Sequence, residues 1–143
     1  MPTVRSITHL DHTKHTHATG LDWKRIAYLT LLSRAIDDVE EQELLKNREV
    51  LYQFSARGHD MAQILLGSLL TDAHDGVGAY YRSRPMLLTL GLSIEDGLAG
   101  PMAKSGGFSD GRDIGVVCNL PGNKSATVLP MSGDVGSQFT PVA

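Results

Sequence analysis

Apolar residues recur at three- and four-residue intervals from Ile26 through Leu29, Leu32 and Ile36 to Val39. A helix of 3.6 residues per turn gathers such positions on one face, so the spacing predicts a long helix from about Trp23 to Asn47. The opposite face carries Lys24, Arg34, Asp38, Glu41 and Lys46. Asp22 stands where an N-cap is needed. After a connection through Tyr52, Phe54 and Ser55, Gly58 precedes a second helical pattern, about His59 to Leu70. Met61, Ile64, Leu65 and Leu69, with small Ala62, Gly67 and Ser68, make it apolar on most sides, the mark of a helix buried in a core.

The segment from Gly76 to Tyr81 suits a short strand whose end delivers Arg82. Pro85 fits the first turn of a helix carrying Met86, Leu87, Leu88 and Leu90. Ser93, with Asp96 three residues on, opens another short helix toward Met102. From Ser105 to Arg112 glycines and polar groups dominate, which is loop chemistry. Ile114 to Cys118 reads as a strand or an extended cover, and Ala126 to Met131 as a short strand. Ser132 to Gln138 then forms a glycine-bearing loop. This alternation predicts an α/β class with a partly parallel sheet.

A chain of 143 residues suffices for one domain with a real core. Residues 1–20, rich in Thr and His without periodicity, read as a flexible His-rich arm, and residues 21–143 as the body. A net charge of −3, with basic residues scattered beside acids, speaks against nucleic-acid binding. Cys118 is the only cysteine, which excludes an intramolecular disulfide and a cysteine-based zinc site and favours a reducing compartment. The longest apolar run, Ile64 to Leu70, is too short to span a bilayer. A soluble, cytoplasmic protein is expected.

Four stretches could carry chemistry. His9, His12, His15 and His17 could bind zinc, nickel or copper, although their spacing matches no closed site and a solvated arm explains them too. Arg57-Gly58-His59-Asp60 meets a helix start, where free N–H groups favour anions; a simple cap is the competing reading. Tyr80-Tyr81-Arg82-Ser83-Arg84 ends the predicted strand, and arginine forks match phosphate oxygens. A surface ion-pair patch is the alternative there. Ser132-Gly133-Asp134-Val135-Gly136-Ser137 could offer N–H groups to phosphate or carbonyls to a cation, or be a plain turn. It is neither a P-loop nor a dinucleotide fingerprint.

Taken in order, Arg57 to Gln63 opening an apolar helix, Ala79-Tyr-Tyr-Arg82, Ser109-Asp-Gly-Arg112, and Leu129 to Gln138 with Pro141-Val-Ala143 resemble a known family. It is the α subunit of thiamine-diphosphate-dependent 2-oxo acid dehydrogenases, with the branched-chain 2-oxoisovalerate type nearest and pyruvate dehydrogenase alongside. The resemblance spans roughly residues 22–143. It implies the N-terminal part of a thiamine-diphosphate-binding fold, with a long first helix and a mostly parallel sheet.

It further implies that Tyr81 and Arg82 contact the cofactor diphosphate and that Ser132 or Gly133 lies beside it. Ser132, Ser137 and Gln138 stand nearest to a structural potassium loop, and His59 and Asp60 fall near the active-site region. The Ser105–Asn119 stretch corresponds to a loop that orders around cofactor. The implied reaction is oxidative decarboxylation of a 2-oxo acid with acyl transfer to a lipoyl group. The implied partners are a β subunit and a lipoyl-bearing acyltransferase core, in an oligomer, in the cytoplasm or a mitochondrial matrix. The family's Gly-Asp-Gly…Asn element, which holds Mg²⁺ on the diphosphate, is expected beyond Ala143, so the isolated chain is expected to be inactive. Gly133-Asp134 stands where the family has Ser-Pro. A non-catalytic assembly module derived from the same fold is the alternative.

Overall fold

The computed structural model describes residues 20–112, 120 and 126–129. Its first element, α1 (Trp23–Val39), starts as the sequence requires: the Asp22 carboxylate accepts from the Arg25 N–H at 3.0 Å. Ile26, Leu29 and Ile36 are buried, whereas Val39 is exposed. The buried face is completed instead by Thr30, Ser33, Asp37 and Glu40. The expected long helix is present but ends short of Asn47. A π-helical turn (Glu40–Leu44) follows α1, closed by the Leu45 N–H on the Glu40 carbonyl at 2.9 Å, and turns follow it.

Gly58, at φ 86°, takes the left-handed conformation that lets the chain turn into α2 (Asp60–Leu69). This helix packs on α3 (Arg84–Thr89), and α1 packs against both. Gly67 sits where α2 and α3 approach: a Cβ there would lie 3.0 Å from Thr89 Cβ and 3.3 Å from the Met86 carbonyl oxygen. Ile64 and Leu87 are the innermost side chains of the contact. Yet α2 is not enclosed, since Met61, Leu66 and Leu69 are exposed. Its hydrophobicity marks one face against α3 and another left open.

Pro85 occupies the first turn of α3, and Ser93 caps α4 (Ile94–Ala99) by accepting from the Asp96 N–H at 3.0 Å. Both follow from local chemistry. Strand β1 is only Gly76–Val77 and pairs parallel with β2 (Thr127–Val128), Gly76 opposite Thr127 and Val77 opposite Val128. The expected strand therefore stops short of Tyr81, and a turn closed by the Ser83 N–H on the Tyr80 carbonyl carries the chain into α3. The core joins Ile26, Leu29, Ile36, Ile64, Val77, Leu87 and Ala126, with Phe108 of the glycine-rich 105–112 segment packed against its edge. This is a helix-rich α/β arrangement with a small parallel sheet. No helix among the described residues is long and apolar enough to cross a membrane.

Candidate functional site

Two of the four stretches singled out from the sequence, Arg57 to Asp60 and Tyr80 to Arg84, come together where the end of α1, the 50–59 segment, the start of α2 and the 80–83 turn meet. Four rings form a ladder there. Tyr52 stacks with Phe54 at 6.4 Å between centroids, Phe54 meets Tyr81 at 4.4 Å, and Tyr81 meets Tyr80 edge-on at 4.9 Å. The Arg82 guanidinium lies 5.7 Å from the Phe54 centroid and 5.4 Å from that of Tyr81. Each ring face attracts the cation through its quadrupole, which fixes where the guanidinium rests.

Two hydrogen bonds hold Arg82 further. Its Nη1 donates to the Ser55 carbonyl at 2.8 Å, and Gln63 Nε2 of α2 donates to the Arg82 carbonyl at 3.0 Å. Ser83 Oγ accepts from the Tyr80 N–H at 3.1 Å and stiffens the turn. Tyr81 and Arg82 are both half-buried, reachable from solvent but held in place.

Arg84, two residues on, has a different fate. It is 3 % exposed and joins a buried network rather than a phosphate-binding surface or a surface ion pair. Nη1 donates to Asp37 at 3.2 Å and to Glu40 at 3.0 Å, while Nη2 donates to the other Glu40 oxygen at 2.5 Å. Asp37 also accepts from Ser55 Oγ at 2.7 Å and the Ala56 N–H at 3.2 Å, tying α1 to the connection that carries Phe54. Burial pushes the Glu40 carboxyl above the usual glutamate range, against the opposing pull of Arg84.

The remaining charges near α2 are paired. Asp60 is buried at the first position of α2 and accepts from Arg34 Nε at 2.6 Å and Nη2 at 3.4 Å. The Arg34 hydrogen bond holds its carboxyl below the ordinary aspartate range, and the Met61 N–H adds to this. Asp60 is thus an ion-pair partner of α1 more than a dipole-balancing surface acid. Arg57 reaches Glu41 at 2.8 Å and also pairs with Asp38. His59 is exposed at the N-cap position and makes no side-chain cap.

Of Arg34, Arg57, Arg82 and Arg84, only Arg82 lacks a carboxylate partner among the described residues. It is the one guanidinium of this group whose charge is left for another anion. Clefts of about 280 and 200 Å³ open elsewhere, toward the C-terminal end of α2, and neither is lined by Tyr81 or Arg82. Both are smaller than the usual ligand pocket.

Asp37, Glu40 and Gln63 were not singled out from the sequence. A signal existed for the first two: Ile26, Thr30, Ser33, Asp37 and Glu40 follow one helical face at alternating spacings of four and three. Ser132, Gly133, Asp134, Ser137 and Gln138 lie outside the described residues, as do His9, His12, His15 and His17. No protein-family model matches this chain, and no solved structure matches its fold.

Proposed function

We propose that this chain is the N-terminal portion of the α subunit of a thiamine-diphosphate-dependent 2-oxo acid dehydrogenase, of the branched-chain 2-oxoisovalerate type, with Tyr81 and Arg82 receiving the cofactor diphosphate. The observation that carries the reading is the unneutralised Arg82, fixed over Phe54 and Tyr81 at the edge of solvent. A diphosphate needs a planar, permanently charged donor and a nearby hydroxyl, and Arg82 and Tyr81 supply that pair. The buried Asp37–Glu40–Arg84 network below positions the turn without competing for the ligand's charge.

When bound, thiamine diphosphate supplies the electron sink on which a 2-oxo acid loses CO₂. The part of this chain is to bind and orient. Arg82 neutralises charge, Tyr81 adds a hydrogen bond, and the ring ladder shields the site from water on one side. Mg²⁺, a structural potassium ion, the β subunit and the lipoyl-bearing acyltransferase complete the proposed system.

The test is calorimetric titration of thiamine diphosphate and Mg²⁺ into the chain assembled with its β subunit. Arg82→Ala should weaken binding by about 1–3 kcal/mol, the scale of a charged hydrogen bond. Arg57→Ala, whose partners are carboxylates of its own chain, should leave affinity unchanged. Equal affinity of the Arg82→Ala and unaltered assemblies would sink the site assignment. Tight assembly without any cofactor signal would favour a non-catalytic assembly module.

A further inference from the structure

The core-facing side of α1 is settled by its burial, and its outer side has an order of its own. At 3.6 residues per turn, Lys24, Ala27, Leu31, Ala35 and Asp38 run down the middle of the exposed face. Trp23 flanks one edge, and Tyr28 and Val39 the other. Trp23 is 58 % exposed, Tyr28 61 % and Leu31 67 %, a concentration of large apolar groups unlike the scattered ones of an ordinary surface.

The row reads the same from both ends about Leu31, except that its charges invert. A second α1 laid antiparallel with Leu31 on the two-fold axis puts Lys24 opposite Asp38, Ala27 opposite Ala35, and Leu31 opposite itself. Lys24 has no ion-pair partner among the described residues. Asp38 already meets Arg57 yet keeps 63 % of its side chain exposed, so it can take a second cation. The small Ala27 and Ala35 let two helix axes come close, and every pairing is returned by the second copy, as a two-fold interface requires.

We infer that the outer face of α1 is a self-recognition surface through which two copies of this chain pair antiparallel about Leu31. The inference is independent of the cofactor reading. Aromatic side chains carry about 150–250 Å² each. Trp23 and Tyr28 at their observed exposure therefore offer roughly 200–300 Å² per copy, to which Leu31 and Val39 add. A standard interface uses about 800 Å² per partner. The pairing is accordingly a weak, concentration-dependent dimer rather than an obligate one.

Sedimentation velocity on the full chain over a wide concentration series tests it. A monomer–dimer equilibrium is expected, and Leu31→Glu, which sets two carboxylates on the axis, should abolish it while the circular dichroism spectrum stays unchanged. Lys24→Glu should weaken the dimer about tenfold, and adding Asp38→Lys should restore it. Register is read by disulfide trapping in a Cys118→Ser background. Leu31→Cys should cross-link with itself. Lys24→Cys should not, because the two positions would lie about 21 Å apart, but it should cross-link when mixed with Asp38→Cys. A chain monomeric at every concentration, a dimer indifferent to Leu31→Glu, or self-trapping of Lys24→Cys as efficient as that of Leu31→Cys would overturn the inference.

Discussion

Replacing Arg84 with methionine removes the donor that three buried hydrogen bonds share. Nη1 and Nη2 are then gone, and two carboxylates of 2 % and 1 % side-chain exposure lose the only cation that pairs with them among the described residues. Breaking a buried pair from one side costs about 3–5 kcal/mol, since the remaining charge stays desolvated. The whole folding stability of a domain is about 5–15 kcal/mol. With a urea slope of about 2 kcal/mol per molar, the Arg84→Met midpoint should fall by roughly 2 M.

The same variant carries a pH signature. Burial already raises Glu40, so between the ordinary glutamate range and the raised folded value the native state holds more protons than the unfolded chain. The Glu40 contribution to stability is therefore full below the unfolded pKa and lost as pH rises through the folded one. Without Arg84 to oppose burial, that window widens, and Arg84→Met should regain stability as pH falls from neutrality toward the glutamate range. Urea titrations at several pH values, followed by circular dichroism, give both quantities. An Arg84→Met midpoint shift no larger than that of Arg57→Ala, whose bridges are exposed and screened, would refute the reasoning. So would a variant that loses stability over that same fall in pH.

Asp60 gives the opposite sign. Its folded pKa is lowered by Arg34, so its contribution is present above the ordinary aspartate range and lost as pH falls through the depressed value. Asp60→Asn should flatten the acid limb of a plot of Tm against pH below about 4, and an unchanged limb would contradict the pairing. Gly67→Ala should lower Tm, because overpacking against Thr89 and Met86 costs about 1–3 kcal/mol and outweighs the roughly 1 kcal/mol helix gain; a higher Tm would mean that α2 and α3 readjust freely. Ser93→Ala should cost about 1 kcal/mol in urea denaturation through loss of the α4 cap, and an unchanged midpoint would argue against that cap.

What the sequence determined by itself was mostly local. Asp22 and Ser93 marked helix starts, Pro85 a first turn and Gly58 a break, because each acts through its own backbone or a neighbour three residues away. The spacing of Ile26, Leu29 and Ile36 specified the core side of α1, and the alternation of elements anticipated a parallel pairing. Tyr81 and Arg82 were legible as a candidate pair because tyrosine and arginine side chains suit anions wherever they stand.

Tertiary structure decided which charges are spent. Arg82 and Arg84 are two residues apart and chemically alike, yet one rests on Phe54 and Tyr81 while the other is buried on Asp37 and Glu40. That difference depends on α1 lying beside the start of α3, more than forty positions away in the chain. Hydrophobic spacing registers polar residues only as gaps, so it counted Val39 inside and passed over Glu40. A buried carboxylate is tolerated only where a distant partner meets it, and no local pattern records where that partner will be.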